Sequence, residues 1–165
     1  MAADHITADL VRSLLDYDAD TGLLRWRVSR GSVQAGAIAG SPNKDGYLGL
    51  SIKRTTVLAH RVIWLHVHGV WPTRQIDHIN GDRRDNRLVN LRDVAPAVNS
   101  QNLTDAHVDS YSGILGVHWH SRDKRWIAQL GAYGKRHHLG TFRTAEEAHA
   151  AYLKAKATLH PFAAR

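Results

Sequence analysis

Ile76-Asp77-His78-Ile79-Asn80-Gly81-Asp82-Arg83-Arg84-Asp85-Asn86-Arg87-Leu88-Val89-Asn90-Leu91-Arg92 is the stretch on which the reading of this chain turns. Two apolar runs, Gln75 to Ile79 and Leu88 to Val94, flank a polar segment. Asn80-Gly81 and Asp85-Asn86 are turn formers that tolerate left-handed backbone. The pattern predicts two short antiparallel strands joined by a long ordered loop. Pro96 then suits the first turn of a helix, where its missing N–H is not needed. Asn99 is expected near the N-terminal end of that helix. Asp77, His78, Asn90 and Asn99 are thus expected to converge from strand, loop end and helix start.

This strand-loop-strand-helix unit resembles the HNH, or ββα-metal, endonuclease module. The resemblance is to the branch with Asp-His on the first strand and Asn in place of the final His. In that branch one Asn lies twelve residues after the His and a second lies twenty-one after it, where this chain has Asn90 and Asn99. The resemblance implies that Asp77 and Asn99 ligate one divalent metal, Mg²⁺ or Mn²⁺, with one ion per active site. It implies that His78 is the general base and that Asn90 braces the loop holding His78. Such chemistry needs a cation to neutralise charge on the scissile phosphate. It also needs a group that takes a proton from water near neutral pH, which suits His. Neighbours on an ideal strand point to opposite faces, so Asp77 and His78 sharing one site calls for a twist or bulge there.

The 165 residues suffice for one domain or two small ones. With no Cys there is neither a disulfide framework nor a zinc-thiolate finger. That composition fits a reducing cytoplasm, the host's if the chain is phage-encoded. No signal peptide or run of eighteen apolar residues is evident, so a membrane partner is not expected. The net charge of +7, from 22 Lys/Arg against 15 Asp/Glu, favours a polyanionic partner. The excess lies beyond residue 59, the N-terminal part being nearly balanced.

Upstream of the central stretch, residues 6–17 predict a helix with Thr7 as N-cap and Leu10, Val11, Leu14 and Leu15 as its stripe. Asp18 to Gly22 reads as a turn. Leu23 to Val28 reads as a strand with Leu24, Trp26 and Val28 on one face, Arg25 and Arg27 on the other. Residues 29–46 read as a surface loop. Tyr47–Ile52 and Thr55–Ala59 are expected to form a hairpin around Lys53-Arg54, followed by a helix from about His60 to His68 that ends at Gly69. His60, His66 and His68 do not align on one helical face, which argues against a metal site. The order hairpin, His60-Arg61, short helix, Asp77-His78 also resembles the same nuclease branch, over about residues 17–102. Arg61, Arg83 and Arg84 are candidate DNA contacts.

Leu103 to Ser112 is polar and irregular. Gly113 to His120, Trp126 to Leu130 and Arg136 to Gly140 then read as three strands. Thr141 onward opens a helix, with Thr144 and Glu147 forming a capping box. Gly116-Val117, Trp126-Ile127-Ala128, Leu139-Gly140-Thr141-Phe142 and Thr144-Ala145-Glu146-Glu147-Ala148 resemble the AP2 DNA-binding domain, across about residues 112–160. The resemblance implies a sheet whose outer face reads the major groove, through His118, His120, Arg122, Gln129, Arg136 and His138. His118, His120 and Gly131 replace arginines of that family's plant members, so base preference does not transfer.

The expected class is α+β. A small ββα-metal nuclease domain over 1–102 is joined by a linker, 103–111, to an AP2-like three-stranded antiparallel sheet packed on one helix, 112–165. The expected function is metal-dependent DNA nicking of the homing-endonuclease type. The expected partner is double-stranded DNA, bound by a monomer, with a dimer left open. The rivals are a non-catalytic DNA-binding regulator with a degenerate nuclease fold and an RNA-directed nuclease.

Overall fold

The computed structural model describes residues 5–102, 106 and 110–160. The chain divides into two compact units, Met1–Asn99 and Ser100–Arg165. Most of the expected linker, residues 103–105 and 107–109, lies outside the described residues.

The first unit opens with helix α1, Ala8–Leu14, whose first turn is capped by Thr7 Oγ1 accepting from Leu10 N. The helix is shorter than the apolar stripe predicts. Leu15 leaves it in extended backbone and begins β1, Leu15–Asp18, which pairs with β2, Leu23–Trp26. Leu15 is still buried, but as a strand residue, because the stripe continues in space across the change of element. The expected turn is present, with Asp18 Oδ1 accepting from the amides of Asp20 and Thr21. Strands β3 (Ser41–Pro42), β4 (Leu48–Ile52) and β5 (Thr55–Leu58) form an antiparallel sheet in the order β3-β4-β5. Its hairpin tip, Lys53-Arg54, holds both residues at positive φ, 46° and 65°. These signs suit a two-residue hairpin turn and are uncommon for such side chains.

Helix α2, Ala59–His68, ends as expected on left-handed Gly69. It buries Ala59, Val62, Ile63 and Leu65 in a core shared with Val11, Leu15, Leu24, Leu50, Ile52, Ile76 and Leu91. Trp71 Nε1 donates to Ile6 O, tying the chain's start to the segment entering β6, Gln75–His78. The Asp93 carboxylate fixes that entry by accepting from the amides of Thr73 and Arg74. β6 pairs with β7, Leu91–Val94, in uninterrupted register from Gln75↔Val94 to His78↔Leu91. The second strand is shorter than predicted, because Leu88–Asn90 coil into a 3₁₀ turn. Helix α3 is one turn, Pro96–Asn99. Asn99 is therefore its last residue rather than a position near its start.

The second unit is a three-stranded antiparallel sheet in the order β10-β9-β8, with β8 at Val117–His120, β9 at Arg125–Ala132 and β10 at Lys135–Phe142. Two expectations are corrected. Gly113–Gly116 lie outside β8, with Leu115-Gly116 in a turn, since Gly116 has φ +74° and cannot extend a strand. Thr141 and Phe142 continue β10 beyond a register shift between His138 and Gly140. Helix α4, Ala145–Leu159, starts with the predicted capping box: Thr144 Oγ1 accepts from Glu147 N, and Glu147 Oε2 accepts from Thr144 N. Its small face, Ala148, Ala151 and Ala155 with Tyr152, packs with Val117, Ala128 and Leu130. A Cβ on Gly116 would lie 2.0 Å from Tyr152 Cδ2. Gly116→Ala combines that clash with a left-handed backbone, so it is expected to destabilise this unit by at least about 2 kcal/mol. Faster hydrogen exchange of the α4 amides than in the unsubstituted chain is the measurement.

Candidate active site

The loop between β6 and β7 is built from side-chain bonds to backbone rather than from strand pairing. Asn80 Oδ1 accepts from Asp82 N, and Asp82 Oδ1 accepts from Arg84 N. Asn90, buried at 6% exposure, spans the loop. Its Oδ1 accepts from Asn80 N, and its Nδ2 donates to Asn80 Oδ1 and to Asp85 O. Its backbone O accepts from Ile79 N, next to His78. Asp85 receives Arg87 Nε and Nη2 together with Asn80 Nδ2. The hydrogen bonds from Arg87 hold its carboxyl down at about 2. Tyr17 of β1 clamps the far side, donating to Asn86 O and accepting from Leu88 N. Gly22 packs on the same backbone, where a Cβ would lie 2.5 Å from Arg87 N.

These contacts hold His78 in a buried position. His78 Nε2 donates to Asn86 Oδ1 at 3.0 Å. That bond places the ring proton on Nε2 and makes Nδ1 the basic nitrogen. His60, from the first turn of α2, meets the His78 ring edge-on with centroids 5.1 Å apart. Tyr47 packs against both rings, at 5.3 Å from His60 and 5.8 Å from His78. Arg83 lies over Tyr47 and donates to Asp45 O.

Asp77, 5% exposed, meets a different set of groups. Its Oδ2 accepts from both Nε and Nη2 of Arg92, the residue directly across the ribbon. Gln75 shares the face of Asp77 by strand alternation, and Asn99 Nδ2 donates to Gln75 Oε1 at 2.8 Å. Asp77 and Asn99 are thus gathered on one face with Gln75 between them, whereas His78 and Asn90 are held by the loop. Of the twist or bulge that a shared site calls for, the β6–β7 register shows no bulge. Among the described residues β6 has no strand neighbour besides β7. Among the described residues no cluster of three or more His, Cys, Asp or Glu forms a metal cage. The donors available are oxygens: the Asp77 carboxylate and the amides of Asn99 and Gln75. This set fits a hard cation that keeps water and phosphate in its shell.

The other expected contacts fall as follows. Arg61 donates to the carbonyls of Pro72 and Arg74, bracing the approach to β6. Arg84 is exposed on the loop. In the second unit the register puts His118, His120, Gln129, Arg136 and His138 on one face, with Arg125, Ile127 and Thr141. The opposite face carries Val117, Ala128 and Leu130, which pack on α4. Arg122 is exposed in the turn between β8 and β9. Sequence reasoning missed Asn86, taken as a turn former, and the parts of His60, Tyr47, Gln75 and Arg92. None of these had a signal readable before the strand register and the closed loop were known.

Residues 57–101 match the model of the HNH endonuclease family. The chain is 33% identical over 79 residues to Protein 3.8 of Escherichia phage T7, covering 47% of this chain and 64% of that protein. It is also similar to the solved structure of the HNH homing endonuclease I-HmuI, described under DNA binding and cleavage, with 27% identity and a TM-score of 0.39. That likeness covers 53% of this chain and 50% of the other. The chain therefore spans less than two thirds of either relative's length.

His60 is 4% exposed, and burial first, then the neighbouring His78 and Arg61, pushes it down to about 3. The unfolded chain protonates this imidazole near 6.5, so between those values the unfolded state binds the extra proton and acid favours unfolding. About 2–3 kcal/mol should be lost from the first unit between pH 7 and pH 4.5. Hydrogen exchange of the α2 amides should accelerate over that window, and less so in His60→Gln.

Proposed function

We propose that the chain is a divalent-metal-dependent DNA endonuclease of the HNH homing type, nicking one strand per binding event. The observation that carries this reading is that the family match, residues 57–101, contains Asp77, His78, Asn90 and Asn99 together. Asp77 and Asn99 would hold one Mg²⁺ or Mn²⁺, which supplies positive charge to the scissile phosphate and the leaving oxygen. The chain's own residues do the rest. His78 Nδ1 takes a proton from the attacking water while Asn86 holds the ring by Nε2. The water oxygen bonds to phosphorus, the P–O bond to the leaving oxygen breaks, that oxygen takes a proton from solvent, and His78 later returns its proton to solvent. Asn90 keeps the loop closed, so the imidazole needs no rearrangement before attack.

The second unit, in this proposal, is an AP2-like reader. Its three strands contain no Asp or Glu. Arg125 and Arg136 share the outer face with three histidines and Gln129. Arginines there suit phosphate, and Gln and His suit base edges. Arg83 and Arg84 would add phosphate contacts beside the site. Among the described residues no helix is long and apolar enough to cross a membrane, and the proposed place of action is the cytoplasm of a host cell.

His78→Ala should lower cleavage about 10²–10⁴-fold with DNA binding retained. With Mg²⁺, supercoiled plasmid should pass through a nicked circle, and chelator should leave it intact. Direct conversion to linear DNA at low protein concentration would refute the single-strand part.

Arg136→Ala should weaken duplex binding and reduce the slope of log affinity against log salt by about one. Filter binding or anisotropy across a salt series reads both quantities. An unchanged slope would remove Arg136 from the interface.

A further inference from the structure

We propose that Arg92 is a resident cation for the metal-binding carboxylate, so that a divalent ion enters the site only by displacing the guanidinium from Asp77. The inference rests on the reading of Asp77 as a metal ligand and deepens it.

The argument begins with burial. Asp77 has 6% of its side chain exposed, and Arg92 has 21%. An ionised carboxylate so withdrawn from water needs a compensating charge. In this chain that charge comes from the facing strand, where Nε and Nη2 of Arg92 converge on a single oxygen, Oδ2, at 2.8 and 2.5 Å. Register brings the pair together, because Asp77 and Arg92 are direct cross-strand partners. A divalent cation bound at the same carboxylate would sit against a guanidinium of like sign in a poorly hydrated pocket. The two cannot be held together at full strength. Arg92 is the group that can leave, being the more exposed of the pair and long enough to swing toward solvent or toward an incoming phosphate.

Two consequences separate this role from simple strand stapling. Metal affinity in the absence of DNA is held below what the oxygen donors would otherwise give. Removing the guanidinium must therefore tighten metal binding, whereas loss of a merely structural residue would loosen it.

The test is Mn²⁺ binding to the DNA-free full chain, read from the free-ion signal in electron paramagnetic resonance. The chains compared are the unsubstituted one, Arg92→Met, Arg92→Lys and Asp77→Asn. Arg92→Met is expected to tighten Mn²⁺ binding about 10–100-fold, the worth of hydrogen bonds to a charged group. Arg92→Lys keeps a competing charge with fewer directed bonds and should fall between, which decides the matter if Arg92→Met does not fold. Asp77→Asn should abolish binding. If Asp77→Asn abolishes binding while the Arg92 variants bind Mn²⁺ no more tightly than the unsubstituted chain, the displacement idea is overturned and the ligand assignment stands. If Asp77→Asn binds as well as the unsubstituted chain, both are overturned.

Discussion

The side-chain amide of Asn90 is the constraint on which the candidate site depends. A loop of polar residues between two short strands has no ladder of its own, and its amides would otherwise be satisfied by water in many conformations. Asn90 meets Asn80 twice and Asp85 once, so one buried residue joins both arms of the loop. Asn86 is then carried inside, at 1% exposure, with its carbonyl oxygen against His78. Its Nδ2 has no hydrogen-bond partner among the described residues, a burial that costs about 1–3 kcal/mol. Asp85, Arg87, Tyr17 and the apolar packing around them offset it.

The two units solve the same problem of a small core differently. In the second, alternation in the strands and alanines on α4 bring sheet and helix into close contact, and Gly116 makes room for the Tyr152 ring. In the first, apolar packing supports the frame, but the region around His78 is lined by polar and aromatic rings and held by directed hydrogen bonds. The sheet-and-helix unit tolerates change on its outer face. The first unit ties its candidate site to its stability, since His60 is at once a neighbour of His78 and a buried imidazole whose charging in acid favours unfolding.

Local signals in the sequence were readable where physics is local. Thr7, Gly69, the Thr144–Glu147 box and the turn at Asp18 each depend on a few adjacent residues, and each is found where expected. The spacing of Asp77, His78, Asn90 and Asn99 could likewise be read as a motif. What failed was tertiary. Leu15 obeys a helical stripe and yet pairs with Trp26, because its burial is satisfied in either element. Leu88 to Asn90 look like strand and coil instead, since Asn90 must turn inward to close the loop. Asn86 resembles a turn residue in sequence, and only the closed loop makes it a buried partner. The pairing of Arg92 with Asp77 required the register, which a long loop does not encode.

Tyr17 and Trp71 carry a further meaning for how the chain comes together. Tyr17 reaches residues 86 and 88, and Trp71 reaches Ile6, so the loop and the approach to β6 are closed by contacts between residues 65–71 positions apart. Contacts of such separation require most chain entropy to be lost before they reward it, and they form late. The helix α4 and the hairpins beside it rely on neighbours and can form early. In a chain emerging from a ribosome, the N-terminal hairpin must wait for residues near 90 before the imidazole of His78 is held in place. Assembly thus delays the ordered surroundings of His78 until the first unit is complete.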